Sequence, residues 1–202
     1  MEFREVVRRR RMVRAFADLP VSPELVDGLI DDARRAPSAG NTAAMEFLVL
    51  EGREQTGEYW GTTLPPGRRE GFAWPGLLVA PVLVLPWVHP EAYVARYREP
   101  DKAHTGLGEG VDAWPVPYWC VAGGAAVRAR LSGAVDRGLG ALLFGMFDHE
   151  AAVRARFGVP RSRRAVGVVA LGHPADDRAS GSSLRGRPPL ATVVHRSRWD
   201  GD

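Results

Sequence analysis

Ser22-Pro23-Glu24-Leu25-Val26-Asp27-Gly28-Leu29-Ile30-Asp31-Asp32-Ala33-Arg34-Arg35-Ala36-Pro37-Ser38-Ala39-Gly40-Asn41-Thr42, with Phe47-Leu48-Val49-Leu50 close behind, holds a helix, a tight loop and a strand in succession. Ser22 can cap the helix. Pro23 takes its first position, where a missing N–H costs nothing, and Glu24 suits the positive end. Leu25, Val26, Leu29, Ile30 and Ala33 recur at helical spacing and form one apolar face. Pro37 ends the helix, and Glu51-Gly52 closes the strand.

Outward from this stretch the two periodicities alternate. Phe3, Val6, Val7 and Arg10 predict a short helix over Glu2–Arg10. The apolar run Leu77–Val88, broken by Pro81 and Pro86, is too short to span a membrane and predicts a buried strand over Pro81–Trp87. Thr105–Pro117 is rich in Gly and Pro and reads as a loop ending in the aromatic residues Trp114, Tyr118 and Trp119. Val127, Leu131 and Val135 mark a long helix, with Gly123 and Gly124 near its start and Gly138 at its end. Asp148 is placed to cap another helix, with Val153 and Phe157 inward. Ala165–Leu171 predicts a central strand. Beyond His173 the chain is polar and tail-like, with Ala191–Val194 predicted to add one short strand. Alternation of this kind predicts a mixed α/β or α+β chain.

Composition agrees. The chain has 202 residues, 45% hydrophobic and 25% charged, which excludes collagen, a coiled coil and wholesale disorder. That length buries a core without disulfides or metal staples. The lone Cys120 can form neither an internal disulfide nor a thiolate cage, and a reducing compartment is its natural setting. The opening residues carry no apolar signal-peptide core, so the expected location is the cytoplasm. His89, His104, His149, His173 and His195 lack ligand spacing, and no metal site is expected. Neither a Walker A loop nor a G-x-S-x-G elbow occurs.

Four features remain as candidates for chemistry. Arg8-Arg9-Arg10-Arg11, with Arg14 beyond, can be a solvated helix face, a nucleic-acid patch or a phosphate grip. The net charge of only +3, and Glu2 and Glu5 beside the run, argue against nucleic acid. Arg185 and Arg187 alternate in the tail, so an extended segment points both to one side. Pro37, Ser38 and Asn41 lie in the tight loop, where such side chains either satisfy local backbone or face a ligand. Gly138-Leu139-Gly140 follows the long helix, either as cap and turn or as a place of close ligand approach.

In order and spacing these features resemble the nitroreductase family of FMN-dependent oxidoreductases. The family's R-R-S-x-R-x-F start is met by Arg10-Arg11-Met12-Val13-Arg14-Ala15-Phe16 except at Met12. Its A-P-S-x-x-N-x-Q-P-W-x-F is met by Ala36 to Asn41 and resumes at Phe47, with Ala43-Ala44-Met45 in place of Gln-Pro-Trp. Gly138-Leu139-Gly140, Ala170-Leu171-Gly172-His173-Pro174, Arg187 to His195 and Trp199 complete the match, which is weak only over about residues 52–110.

The resemblance implies one α+β domain over residues 1–202. It would be a mostly antiparallel central sheet flanked by helices in an intertwined homodimer, with the tail from about residue 175 on the partner subunit. FMN would lie at the subunit interface. Arg10, Arg11, Met12 and Arg14 would line its phosphate and ribityl chain, with Arg185 and Arg187 completing the phosphate clamp. Pro37, Ser38 and Asn41 would line the ring from the partner, and the backbone of Leu139 and Gly140 would face its reactive edge. Trp114, Tyr118 and Trp119 are candidates for a substrate wall, against core or dimer interface. The implied activity is hydride transfer from NAD(P)H through flavin N5 to a nitroaromatic, quinone or unsaturated carbonyl acceptor, by a ping-pong route. A flavin-binding or sensing protein with little turnover is the alternative, motivated by Met12 and Ala43-Ala44-Met45.

Overall fold

A computed structural model describes residues 1–178, 180, 181 and 185–199. Ser183 and Leu184 of the arginine-bearing tail stretch, and the last three residues, lie outside the described residues. The helices are α1 (Phe3–Arg9), α2 (Pro23–Arg34), α3 (Gly52–Thr63), α4 (Pro66–Arg69), α5 (Pro90–Tyr97), α6 (Tyr118–Asp136) and α7 (Glu150–Phe157). The strands are β1 (Met45–Glu51), β2 (Val82–Val88), β3 (Gly140–Phe144), β4 (Arg164–Ala165) and β5 (Val168–Gly172). They form one antiparallel sheet in the order β1-β2-β5-β3, with β4 pairing β2 beyond the end of β5.

Two helical layers enclose the sheet, because its strands alternate between two apolar faces. Leu83, Leu85 and Trp87 of β2 join Leu142, Val168 and Ala170 against Tyr59 and Trp60 of α3 and Val153 of α7. Val82 and Val84 join Ala141, Val169 and Leu171 against Val26 and Leu29 of α2 and Val127 and Leu131 of α6. The result is an α+β sandwich.

The predicted strand 165–171 is split into β4 and β5. Val166 donates its N–H to the Pro86 carbonyl, and Gly167 beside it has φ 148°. Pro86 has no N–H for a ladder on that side of β2, so the partner strand breaks opposite it. The 105–117 region folds into the short 3-10 turns Leu107–Glu109 and Val111–Ala113.

Two expectations are corrected. Asp148 does not cap α7; it sits inside a 3-10 turn, Phe147–His149, and makes no cap hydrogen bond. Ala191–Val194 forms no strand: Leu190–Thr192 is a 3-10 turn with exposed side chains, and β-propensity without a partner strand or a buried face does not make a strand. Helices α3, α4 and α5 and strand β3, whose first residue the sequence places in a turn, are not anticipated.

One core residue breaks the rule that interiors are apolar. Arg130 on α6 is 1% exposed, and its guanidinium lies over the Phe47 ring at 4.6 Å. None of its side-chain nitrogens has a hydrogen-bond partner.

Candidate functional site

After α1 the chain runs along the edge strand β3. Val13 donates to the Ala141 carbonyl at 3.0 Å, Phe16 to that of Gly76 at 3.1 Å, and Ala17 to that of His173 at 2.9 Å. Ala175 returns the pairing by donating to the Ala15 carbonyl. The strip of residues 10–17 is thus held between β3 and the start of the tail. Gly140 makes this approach possible, since a Cβ there would meet the Val13 side chain at 3.0 Å. Leu139 and Gly140 are both buried, with Val13 packed against Gly140.

Arg10 sits half-buried at the head of the strip, and its Nη1 is buried without a hydrogen-bond partner. Burial lowers its pKa, and the positive charges of Arg128 on α6 and Arg187 in the tail lower it further. Three cations therefore act on one another there. Among the described residues no carboxylate pairs with Arg10, Arg11, Arg128, Arg185 or Arg187. Arg11, Arg185 and Arg187 are exposed. A like-charge group with an orphaned donor and no internal anion fits a phosphate monoester, whose several oxygens and double charge satisfy such donors. The residues present thus fit the phosphate of FMN.

Arg14 is engaged differently. Its guanidinium lies over Trp74 at 5.1 Å and donates to the Met12 carbonyl at 3.4 Å, while its amide donates to Asp177 at 2.8 Å. Arg178 covers the same indole at 4.4 Å and donates to the Ala73 carbonyl. Met12 is partly buried against both apolar layers, an apolar anchor in the place of a hydroxyl.

The second set of residues belongs to another part of the chain. Ser38 accepts a hydrogen bond from the Ala43 N–H at 2.9 Å. Gly40, Asn41 and Ala43 all have positive φ, of 63°, 51° and 49°, so the loop is tightly wound. Helix α5 braces it: Arg96 donates to the Gly40 carbonyl at 2.9 Å, and Tyr97 lies where a Cβ at residue 40 would stand. Arg96 is oriented in turn by a two-pronged contact with Asp101, which draws the Asp101 carboxyl down to about 2. Pro37 and Asn41 are exposed.

Trp114 is buried with Tyr93 and Ala122, and its indole N–H donates to the Leu107 carbonyl at 3.0 Å. Trp119 packs on that cluster, while Tyr118 is 47% exposed. Within this chain, then, Arg10, Met12, Arg14, Leu139, Gly140 and Arg187 share one neighbourhood. The contacts of the Ser38–Ala43 loop run instead to α5 and the Trp114 cluster. Sequence reading missed Arg128, Trp74, Tyr93 and Arg96. Arg128 stands beside the apolar stripe of α6 and looks like any solvated helix arginine, so only the fold reveals it.

An antiparallel sheet between helical layers, with an arginine group beside its edge strand, defines an α+β sandwich. Residues 7–173 match the Nitroreductase family, and the chain belongs to that family of oxidoreductases. A protein of Archaeoglobus fulgidus, named as an NADH dehydrogenase/NAD(P)H nitroreductase, is 25% identical over 199 residues, covering 96% of this chain and 97% of that one. A 4-nitrobenzoate reductase of Pseudomonas putida is 47% identical over 51 residues, or 25% of this chain. Among solved structures, a nitroreductase family protein of Streptococcus pneumoniae superposes with a TM-score of 0.75 at 17% identity, covering 96% of this chain and 100% of that one. A Desulfovibrio desulfuricans protein solved in complex with FMN gives 0.72 at 22%, covering 99% of each. No helix among the described residues is long and apolar enough to cross a membrane.

Proposed function

We propose that the protein is an FMN-dependent oxidoreductase that passes hydride from NAD(P)H to a nitroaromatic, quinone or unsaturated carbonyl acceptor. The observation that carries this reading is the buried, unpartnered Arg10 nitrogen among the like charges of Arg128 and Arg187. When bound, FMN supplies the hydride-accepting and hydride-donating N5, used by donor and acceptor in turn, which gives ping-pong kinetics. Arg10, Arg11 and Arg187, with Arg185 and Arg128, bind its phosphate. Arg14, fixed over Trp74, would hold the ribityl chain together with the apolar Met12. The backbone of Leu139 and Gly140 would support the reactive edge.

In this reading one chain is one domain, and two chains form a cytoplasmic homodimer with two sites. The loop holding Pro37, Ser38 and Asn41 comes from the second subunit, and the tail from about residue 175 packs across. Trp114 gives the substrate wall its rigidity from within the core, with Trp119 and Tyr118 nearer the surface. No acid–base dyad is required, since the protein's tasks are orientation, phosphate binding and electrostatics.

The test is the visible spectrum of the purified protein, identification of the released chromophore, and turnover with NADH or NADPH and a quinone. FMN bands with rapid multiple turnover are expected. FMN bands with no turnover would favour the sensing alternative, in keeping with Met12 offering no hydroxyl. A protein that neither carries nor takes up FMN would overturn both.

A further inference from the structure

Between the end of α2, the Ser38–Ala43 loop and the start of α6 lies a recess of about 20 Å³, room for one water-sized group. Its walls are mostly apolar, Ala33, Ala36, Ala43, Ala44, Met45 and Ala122, with Arg34 also lining them. Two hydroxyl-bearing residues interrupt them. Tyr93 is completely buried, and its hydroxyl is a buried polar group with no hydrogen-bond partner. Ser38 lines the recess as well, and its oxygen accepts from the Ala43 N–H, which leaves its hydrogen free to donate.

Leaving a buried hydroxyl unpaired costs about 1–3 kcal/mol, so a hydroxyl beside a recess of this size takes a water or, displacing it, a ligand atom. The Tyr93 ring cannot turn away to find another partner. Trp114 and Trp119 pack edgewise on it at 5.9 and 6.1 Å. Burial pushes the Tyr93 hydroxyl up from its ordinary value, so it stays protonated and remains a donor. Arg34, the one cation lining the recess, is exposed and held by Asp31 at 2.6 Å, and no carboxylate lines it, so a charged group entering it would be desolvated with little compensation. An uncharged oxygen acceptor matches both the size and the donors. Ala43 and Ala44, which line the recess, stand where the resembled motif carries Gln and Pro.

We propose that the Ser38–Tyr93 recess is an oxygen subsite that takes one uncharged carbonyl or nitro oxygen of the electron acceptor. This deepens the function proposed above and rests on it for the word acceptor. Tyr93 serves as a specificity-determining residue.

The experiment is calorimetric titration of the protein as purified, without NAD(P)H, using nitrobenzene, acetophenone and toluene as probes. The wild type should bind the two oxygen-bearing probes more tightly than toluene. Tyr93→Phe should weaken nitrobenzene and acetophenone by about 5- to 10-fold and leave toluene unchanged, since only the hydrogen bond is removed. Loss with one oxygen-bearing probe alone would assign the subsite to nitro or to carbonyl oxygen and still support it. Equal weakening of all three probes, no weakening of any, or a wild type that prefers toluene would overturn it. Visible absorbance of the same samples separates the two readings. A colourless protein that still discriminates nitrobenzene from toluene would sink the flavin function and leave the subsite standing.

Discussion

Arg10 and Arg130 both keep guanidinium nitrogens out of water with no hydrogen-bond partner, and their surroundings could hardly differ more. Arg10 is half-buried at the edge of the sheet, among the charges of Arg128 and Arg187, where an anion can arrive from solvent. Arg130 is sealed between α6 and β1, with its guanidinium over the Phe47 ring. Removing a cation from water costs several kcal/mol, and a cation–π contact returns about 2. An orphaned donor at an accessible edge is a receptor. The same orphan inside the core is a net cost.

The comparison breaks first at the receptor. Replacing Arg10 and Arg187 together with Ala should weaken FMN binding at least about 100-fold, since each charge-assisted hydrogen bond contributes roughly 1.5–3 kcal/mol. Arg187→Ala alone should give about 10-fold. Flavin fluorescence titration measures both, and the urea midpoint of the flavin-free protein should stay level or rise as repulsion is relieved. Unchanged flavin affinity would remove these residues from the site.

Arg130→Met tests the other side, and the sign is opposite. Exchanging an unpaired buried charge for a flexible apolar side chain of similar length should stabilise the fold by about 1–3 kcal/mol, read as a higher urea midpoint at constant m. A destabilised variant would mean that Arg130 has a partner after all. The pH dependence sharpens the point. Burial holds the Arg130 guanidinium down to about 10, well below its ordinary value. Between those values the unfolded chain binds more protons, so wild-type stability rises with pH relative to the variant. The gap in urea midpoint should be constant up to about pH 9 and narrow above about pH 10. A gap that stays flat through that range would contradict a depressed Arg130.

How far these features could be read from the sequence follows the same division between local and long-range causes. The helix at Pro23–Arg34 was legible because cap, proline and apolar face all lie within it. Strand β1 was legible from its apolar run and its closing Glu51-Gly52. Helix α3 was not, because Gly57 and Gly61 interrupt it and its buried face includes the polar Thr56 and Thr63. Helix α5 is a short element defined by Pro90 and by packing against residues distant in sequence. At the site, Arg10 and Arg187 emerged from motif order. Arg128 and Arg130, two positions apart on one helix, are indistinguishable in composition, and only the rotation of α6 sends one to the surface and one to the core.

Arg128 therefore gives the finest test. It is exposed, so water and salt screen it, and its effect on a bound anion should be weaker than that of Arg10. Arg128→Ala should lower FMN affinity only about 3-fold near 0.1 M salt, where the Debye length is roughly 10 Å. At about 1 M, where that length shrinks to roughly 3 Å, the variant and wild type should converge. Arg187→Ala should keep most of its deficit there, because a direct hydrogen bond is not removed by screening. If the Arg128 deficit also persisted at high salt, Arg128 would be touching the phosphate, and the receptor would have one more direct donor than motif order provided.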